Sequence, residues 1–196
     1  MLDPEERRTA LLEAAERTYA EHGTSRTTVS DVARAAGVTR GLVYHYFPTP
    51  EDLLDAVLAR RVEAFADSVR AWDAGRTVGD IEGALRDVIA LFRAQTAPTD
   101  PLRADLRRPE NAALYQRFVD AAVAAVVDVL QVTTVEAYAA RHDLAIEHVR
   151  ATFVLLVHGL GGLMRTEPDV PDTVLAALVR QTLRLDMDGR TAPSGP

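Results

Sequence analysis

The amino-acid sequence predicts an all-α fold, and three observations support it. Apolar residues recur every three to four positions along most of the chain, which is the spacing of one helix face. Strict two-residue alternation, which would indicate strands, is nowhere sustained. Threonines, prolines and glycines stand where helices begin and end. The chain of 196 residues is long enough to form two small domains.

The first three predicted helices are closely spaced. Residues 4–22 form the first helix, with one apolar face. Thr28 supplies the N-cap of a short second helix, which Gly37 ends because glycine readily adopts the left-handed backbone. Thr39 caps a short third helix over residues 40–46.

Longer helices are predicted after residue 48. Thr49 and Asp52 have the spacing of a capping box, and Pro50 suits the first helical position. The stretch 97–109 contains three prolines and is expected to hold at most a short helix, and residues 188–196 are expected to be a disordered tail. The long helices are expected near residues 50–73, 80–96, 110–141, 145–166 and 171–187.

The composition excludes several classes of function. Without cysteine the chain has no disulfide and no thiol chemistry. No apolar run reaches the ~18 residues of a membrane span, and the acidic N-terminus lacks the apolar core of a signal peptide, so we expect a cytoplasmic protein without a membrane partner. His142 and His148 are six positions apart, whereas metal-binding pairs on a helix are three or four apart. We expect no metal, no cofactor and no enzymatic activity.

The net charge of −7 at first argues against nucleic-acid binding, which needs a basic surface. The distribution of the charge is more informative. Residues 22–47 carry three arginines against a single aspartate, and the excess of acid lies in residues 48–196. The basic segment contains the second and third predicted helices, so a DNA-binding surface is possible there.

Residues 28–47 have the pattern of a helix-turn-helix, in which the second of two helices enters the major groove of DNA. Small and apolar side chains face inward, at Val32, Ala33, Val43 and Phe47. The third helix is therefore predicted to present a different set to solvent, namely Arg40, Gly41, Tyr44 and His45. An arginine, a small residue and two hydrogen-bonding rings suit contact with base edges.

This segment resembles the TetR family of repressors. The resemblance covers about a quarter of the chain and rests on these positions: Leu11-Leu12-x-Ala14-Ala15, Tyr19, Gly23, Thr27-Thr28-Val29, Val32-Ala33, Ala36-Gly37-Val38, Gly41, Tyr44, Tyr46-Phe47 and Leu53. It implies a three-helix DNA-binding domain at residues 1–47 and a helical ligand-binding and dimerisation domain at residues 48–187. It also implies a dimer that binds a palindromic double-stranded DNA operator and is released by a small-molecule effector.

The resemblance assigns roles to particular residues. It implies that Thr28 and Tyr46 contact phosphates. It places five residues at the groove: Ser30, Arg40, Gly41, Tyr44 and His45. Pro50 stands where the family usually has lysine, so we expect affinity to depend more on Arg26, Arg40 and the helix N-termini, including Thr39. Thr18 replaces a usual leucine in the first helix.

The second domain is predicted to bind both an effector and a second copy of the chain. The resemblance implies that the last two helices form a four-helix bundle between subunits. Two apolar stripes fit this role: Val149, Phe153, Leu156 and Leu160, and Leu175, Leu178, Thr182 and Leu185. A mostly apolar ligand with one or two polar groups is expected at Phe65, Val69, Phe92, Gln95, Phe118 and His158.

Several alternatives stay open at this point. Tyr44 could pack partly into the core, and His158 could lie at the dimer seam. The glycines at 159, 161 and 162 could indicate a nucleotide-binding loop, although close helix packing at a subunit interface explains them better. The chain could also be a constitutive or activating DNA-binding protein without an effector. An enzyme would require a polar pocket with paired carboxylates.

Overall fold

The computed structural model describes residues 3–77, 79–97, 99–132 and 148–185, and all the regular structure within these ranges is helical. The all-α prediction is confirmed. In chain order the helices are α1 Pro4–His22, α2 Val29–Ala35, α3 Arg40–Tyr46, α4 Pro50–Gly75, α5 Ile81–Thr96, α6 Pro101–Leu106, a 3-10 turn Pro109–Asn111, α7 Ala112–Leu130, α8 Val149–Thr166 and α9 Asp172–Leu183. Within the described ranges, no helix is long and apolar enough to cross a membrane.

Side-chain caps begin the helices where the sequence predicts them. The Thr28 hydroxyl accepts a hydrogen bond from the Asp31 amide at 3.3 Å, and the Asp31 carboxylate accepts one from the Thr28 amide at 3.1 Å. The Thr39 hydroxyl accepts from the amide of Leu42 at 3.3 Å. A second box joins Thr49 to Asp52, whose amide lies 3.0 Å from the threonine hydroxyl. These bonds satisfy amides that the first turn of a helix leaves without backbone partners.

Gly37 ends α2 as predicted. Its φ is +66°, in the left-handed region that glycine adopts readily. Its amide donates to the carbonyl of Arg34 at 3.2 Å, and the amide of Val38 donates to that of Ala33 at 2.9 Å. These two bonds form a Schellman motif, which turns the chain sharply from α2 toward α3.

The chain divides into two compact units, and unit 1 comprises residues Met1–Phe65 and Ala97–Ala122. Its core is built from α1 to α3, the first part of α4, and α6. The core side chains include Leu11, Leu12, Ala15, Val32, Val43, Phe47, Leu53, Val57, Leu102 and Leu106. Unit 1 therefore extends well beyond the domain predicted at residues 1–47. That domain boundary stays a prediction.

Unit 2 comprises residues Ala66–Thr96 and Val123–Pro196. Ile89, Met164, Val170 and Leu175 form one of its apolar clusters. Arg93 holds the segment between α8 and α9, because its guanidinium donates to the Asp172 carboxylate at 2.6 Å and to the backbone carbonyls of residues 168 and 170. A guanidinium that donates to three separate acceptors fixes a loop geometrically as well as electrostatically.

The structure corrects the prediction for one of the two stripes assigned to the dimer interface. Phe153, Leu156 and Leu160 face the interior of unit 2, where they line a cavity. Leu175 is fully buried there as well. Periodicity identifies an apolar face but not the partner that covers it. Residues 133–147 lie outside the described residues; they hold the end of the helix predicted at 110–141, the start of the one predicted at 145–166, and His142. The predicted tail 188–196 also lies outside them.

Candidate DNA-binding surface and ligand cavity

Helix α3 separates an inner face from an outer face. Val43 and Phe47 are buried in the core of unit 1. Arg40, Gly41 and His45 are exposed, and Tyr44 is exposed over 36% of its surface. The outer face therefore carries the four residues that the sequence predicts. Because the apolar anchors hold α3 from behind, the polar face is presented on a rigid support.

Arg40 and Tyr44 interact along this outer face. The Arg40 Nη2 donates to the Tyr44 hydroxyl at 3.4 Å, and the guanidinium carbon lies 5.7 Å from the centre of the tyrosine ring. The pairing follows from the i,i+4 spacing, which places both side chains over one another on the helix surface. Tyr44 is thus partly exposed and contacts another candidate DNA-binding residue.

The other candidate DNA-binding residues are also accessible. Arg26 and Thr39 are exposed, and Ser30 and Tyr46 are partly buried. Thr28 is exposed, but its hydroxyl donates to Asp31 at 2.6 Å. The hydrogen bonds from the Thr28 hydroxyl and amide are the main reason why the pKa of Asp31 lies below its usual value, and Arg34 also contributes. Contact of these residues with DNA stays a prediction.

Unit 2 contains a cavity of about 180 Å³ that is partly open to solvent. The end of α4, helices α5, α8 and α9, and the end of α7 contribute to its walls. Apolar side chains make almost all of its surface. They include Trp72, Ile81, Leu85, Val88, Ile89, Phe92, Leu130, Phe153, Leu156, Val157, Leu160, Met164, Val179, Leu183 and Leu185.

Three of the few polar side chains at this cavity make hydrogen bonds within the protein. The Trp72 indole N–H donates to the carbonyl of Ala84 at 3.2 Å. Arg76 donates to the Asp73 carboxylate at 2.7 Å, and the Asp80 carboxylate accepts from the Gly83 amide at 2.8 Å. A ligand in the cavity would therefore gain apolar contacts and few directional bonds.

Of the six predicted ligand residues, only Phe92 lines the cavity. Phe118 packs against the core of unit 1, and Phe65 is buried at the end of that unit's first segment. Val69 is fully buried without lining the cavity, and Gln95 and His158 are partly buried away from it. On α8 the sequence predicts only His158 as a ligand contact, because the apolar stripe of that helix is assigned to the dimer.

Helices α8 and α9 carry apolar side chains that unit 2 does not bury. Leu155 is 74% exposed, Val174 is 44% exposed and Leu178 is 37% exposed. A Cβ atom built at Gly159 or Gly162 would meet no atom within 4 Å. Packing within the described chain therefore does not require glycine at either position. Both glycines lie inside a helix, which removes the nucleotide-loop alternative.

The N-terminal segment is similar to that of known bacterial regulators. Residues 11–57 match the family model described as "Bacterial regulatory proteins, tetR family". The regulator TtgR of Pseudomonas putida is 43% identical over 56 residues, which cover 29% of this chain and 27% of TtgR. BetI of Rhizobium meliloti is 32% identical over 121 residues, which cover 57% of this chain and 50% of BetI. The chain thus spans between about a quarter and a half of these curated relatives, which are named as transcriptional regulators and not as enzymes.

Solved structures share the whole fold. A TetR-family regulator from Streptomyces coelicolor has a TM-score of 0.63 at 21% identity, with 94% of this chain and 99% of that chain covered. The repressor AlkX from Dietzia sp. has a TM-score of 0.63 at 22% identity, with 93% and 95% covered. At such identities the likeness concerns the fold alone. The match over residues 11–57 thus shows that this segment is the N-terminal segment of the TetR family of bacterial regulatory proteins, and the fold of the described chain is that of solved TetR-family regulators.

Proposed function

We propose that the chain is a homodimeric repressor that binds a palindromic DNA operator and is released by a small apolar effector. The observation that carries the DNA-binding part is the outer face of α3. Arg40, Gly41, Tyr44 and His45 are exposed there, while the opposite side of the helix is held in the core. The set combines a guanidinium, two hydrogen-bonding rings and a position without a side chain that would obstruct close approach.

Selection of bound sequences from random double-stranded DNA tests this function. We expect the recovered sites to be palindromes, because a symmetric dimer presents two copies of α3 to two half-sites. Recovery of non-palindromic sites would contradict the dimeric repressor, and recovery of no preferred sequence would contradict operator binding altogether.

The proposed dimer uses the exposed apolar face of α8 and α9. Leu155, Val174 and Leu178 would lose their exposed surface against a second copy. Gly159 and Gly162 would allow the partner helix to approach closely, which explains glycine where the chain's own described packing leaves space. Sedimentation of the free protein at micromolar concentration tests the dimer, and a monomer under these conditions would contradict it.

The proposed effector is a neutral apolar molecule. An engineered apolar cavity of about 150 Å³ in another protein binds benzene, so the cavity of unit 2 has room for a somewhat larger ring or short chain. A charged ligand would lose its hydration against a wall that is almost entirely apolar, and Trp72, Arg76 and Asp80 each already make a hydrogen bond within the protein. The polar groups expected from the sequence are therefore not needed inside the cavity.

Paired substitutions on α5 test the effector site. Ala84 lines the cavity and Ala90 is exposed on the same helix. With naphthalene and 2-naphthoate as probes, we expect the wild type to bind the neutral compound more tightly. Ala84→Leu should weaken that binding, whereas Ala90→Leu should leave it unchanged. Equal binding by all three proteins would place the site elsewhere.

Linkage distinguishes an inducible repressor from a constitutive regulator. If the effector releases DNA, saturating operator must weaken naphthalene binding by the same factor by which naphthalene weakens operator binding. Typical couplings are about 5–150-fold. Naphthalene binding that is indifferent to the operator would favour the constitutive alternative.

A further inference from the structure

A buried carboxylate on α6 binds the turn that follows α1. Asp105 is 5% exposed, and one of its oxygens accepts from both the amide and the hydroxyl of Thr24, each at 2.7 Å. The Asn111 side-chain amide lies 3.3 Å from the same oxygen and donates to the Asp105 carbonyl at 2.9 Å. Arg108 is 3.5 Å from the other oxygen. Four donor groups thus surround this carboxylate, as a buried charge requires.

The turn itself is shaped around the carboxylate. Gly23 has φ +87° and ψ 155°, a conformation that is essentially restricted to glycine. A Cβ atom at this position would lie 2.7 Å from an Asp105 oxygen. No side chain could therefore stand there without moving Asp105. The amide and hydroxyl of Thr24 both bind one carboxylate, and Gly23 leaves room for it. That carboxylate is 81 residues away from Thr24 in the sequence.

The turn that Asp105 binds lies directly before the helix-turn-helix. Gly23 ends α1, and Thr28 caps α2 only a few residues later. On the other side of the contact, Leu102 and Leu106 of α6 are fully buried in the core of unit 1. Asp105 therefore joins the turn leading into the helix-turn-helix to a helix that is itself anchored in that core.

Stability alone is a weak reason for such a group. A well-packed apolar side chain often stabilises a fold as much as a buried charge does, but it imposes no single geometry. The hydrogen-bonded carboxylate does impose one, because each of its bonds has a preferred length and direction. A fixed geometry is useful where the orientation of an element must be held, and α2 and α3 are such elements in a DNA reader.

We propose that Asp105 is a positioning residue for sequence-specific DNA binding. Through the Gly23–Thr24 turn it holds the helix-turn-helix in one orientation within unit 1. The inference rests on the proposed operator binding and concerns a residue that does not itself contact DNA. Specific binding requires base edges and side chains to be in register, whereas non-specific binding to phosphates tolerates different orientations. Loss of the Asp105 contacts should therefore affect specific binding alone.

The test compares two isosteric substitutions. Asp105→Asn removes the buried carboxylate, and Asp55→Asn removes an exposed one, which pairs with Arg117 at 2.7 Å in the same unit. Each change removes one negative charge, which by itself favours DNA binding. A third variant, Thr24→Val, leaves the net charge unchanged and removes only the bonds of the hydroxyl, which donates to Asp105 and accepts from the Asn111 amide at 3.2 Å. The probes are the duplex selected by the wild type and a scrambled duplex of equal composition.

We expect Asp105→Asn to weaken binding to the selected duplex about tenfold and Thr24→Val about threefold, while affinity for the scrambled duplex does not fall. Asp55→Asn should bind both duplexes at least as tightly as the wild type. Circular dichroism shows at which temperatures each variant is folded, and affinities are compared only at those temperatures. If Asp105→Asn does not fold, Thr24→Val alone tests the inference.

Two results would overturn the inference. Equal losses of affinity for both duplexes in Asp105→Asn would indicate that Asp105 only stabilises the fold. Unchanged affinity of Thr24→Val for both duplexes would indicate the same. A wild-type protein that does not distinguish the duplexes would instead refute the proposed operator binding, and the role of Asp105 with it.

Discussion

Substitution of Gly23 by alanine should destabilise unit 1 far more than the same substitution at Gly37. Both glycines have positive φ, +87° and +66°. At Gly37 a new Cβ atom meets nothing within 4 Å, so the cost is backbone strain of ~1–2 kcal/mol, reduced by the lower entropy of the unfolded alanine chain. At Gly23 the strain is ~1–3 kcal/mol, because the backbone region is essentially restricted to glycine.

The contact with Asp105 adds a second cost at Gly23. The new Cβ atom would stand 2.7 Å from a carboxylate oxygen, so Asp105 must move and its hydrogen bonds to Thr24 must lengthen. A lost hydrogen bond to a charged group costs ~1.5–3 kcal/mol. We therefore expect ~3–5 kcal/mol for Gly23→Ala and about 1 kcal/mol for Gly37→Ala.

Hydrogen exchange of peptides from α1 and α2 measures this difference within unit 1. An energy of 1.4 kcal/mol corresponds to a tenfold change, so protection should fall more than about a hundredfold in Gly23→Ala and about fivefold in Gly37→Ala. The fluorescence of Trp72, which lies in unit 2, provides an internal reference. Asp105→Ala should cost less in the Gly23→Ala background than in the wild type, because the contact is already broken. Equal effects of the two glycine substitutions would refute this reasoning.

Three further predictions concern DNA contact, assembly and pH. Arg40→Ala should cost ~1–3 kcal/mol of affinity for the selected duplex and relax preference at one base pair per half-site; unchanged binding would exclude Arg40 as a reader. Leu155→Asp should yield monomers in sedimentation, whereas Ala113→Asp, at an exposed position of α7, should not. Burial, assisted by the charge of Glu51, raises the pKa of Tyr19 to about 12 from its ordinary 10.0. Because the folded-state pKa is the higher one, this stabilisation is complete below pH 10 and is lost as pH rises toward 12; urea titrations of Tyr19→Phe should lack this loss.

The helix-turn-helix could be predicted because its determinants are local. Thr28, Gly37 and Thr39 act on neighbouring backbone groups, so their effects can be inferred from a few consecutive residues. The alternation of buried Val43 with exposed Tyr44 likewise follows from helical geometry once the ends of α3 are known. Thr18 departs from the family pattern without leaving an unbonded hydroxyl, because it donates to the Ala14 carbonyl at 2.7 Å.

The cavity and the Asp105 network could not be predicted, because both depend on distant pairings. The sequence identifies Phe153 and Leu160 as apolar, but a helix face looks the same whether its own chain or a second subunit covers it. For the same reason periodicity could not show which of the predicted ligand residues line the cavity of unit 2, and of the six only Phe92 does. Asp105 stands between charged residues of an arginine-rich segment, and nothing local indicates that it is buried.

The two-segment composition of unit 1 also has a consequence for synthesis on the ribosome. Residues 1–65 leave the exit tunnel first, but the core of this unit is incomplete until Leu102 and Leu106 arrive within the second segment, 97–122. At ~5–20 residues per second the delay between residue 65 and Leu106 is roughly 2–8 s. During that time the nascent chain exposes the apolar surface that α6 later covers, which makes it a substrate for chaperones. A nascent or truncated chain ending before α6 should therefore aggregate rather than compete for the operator.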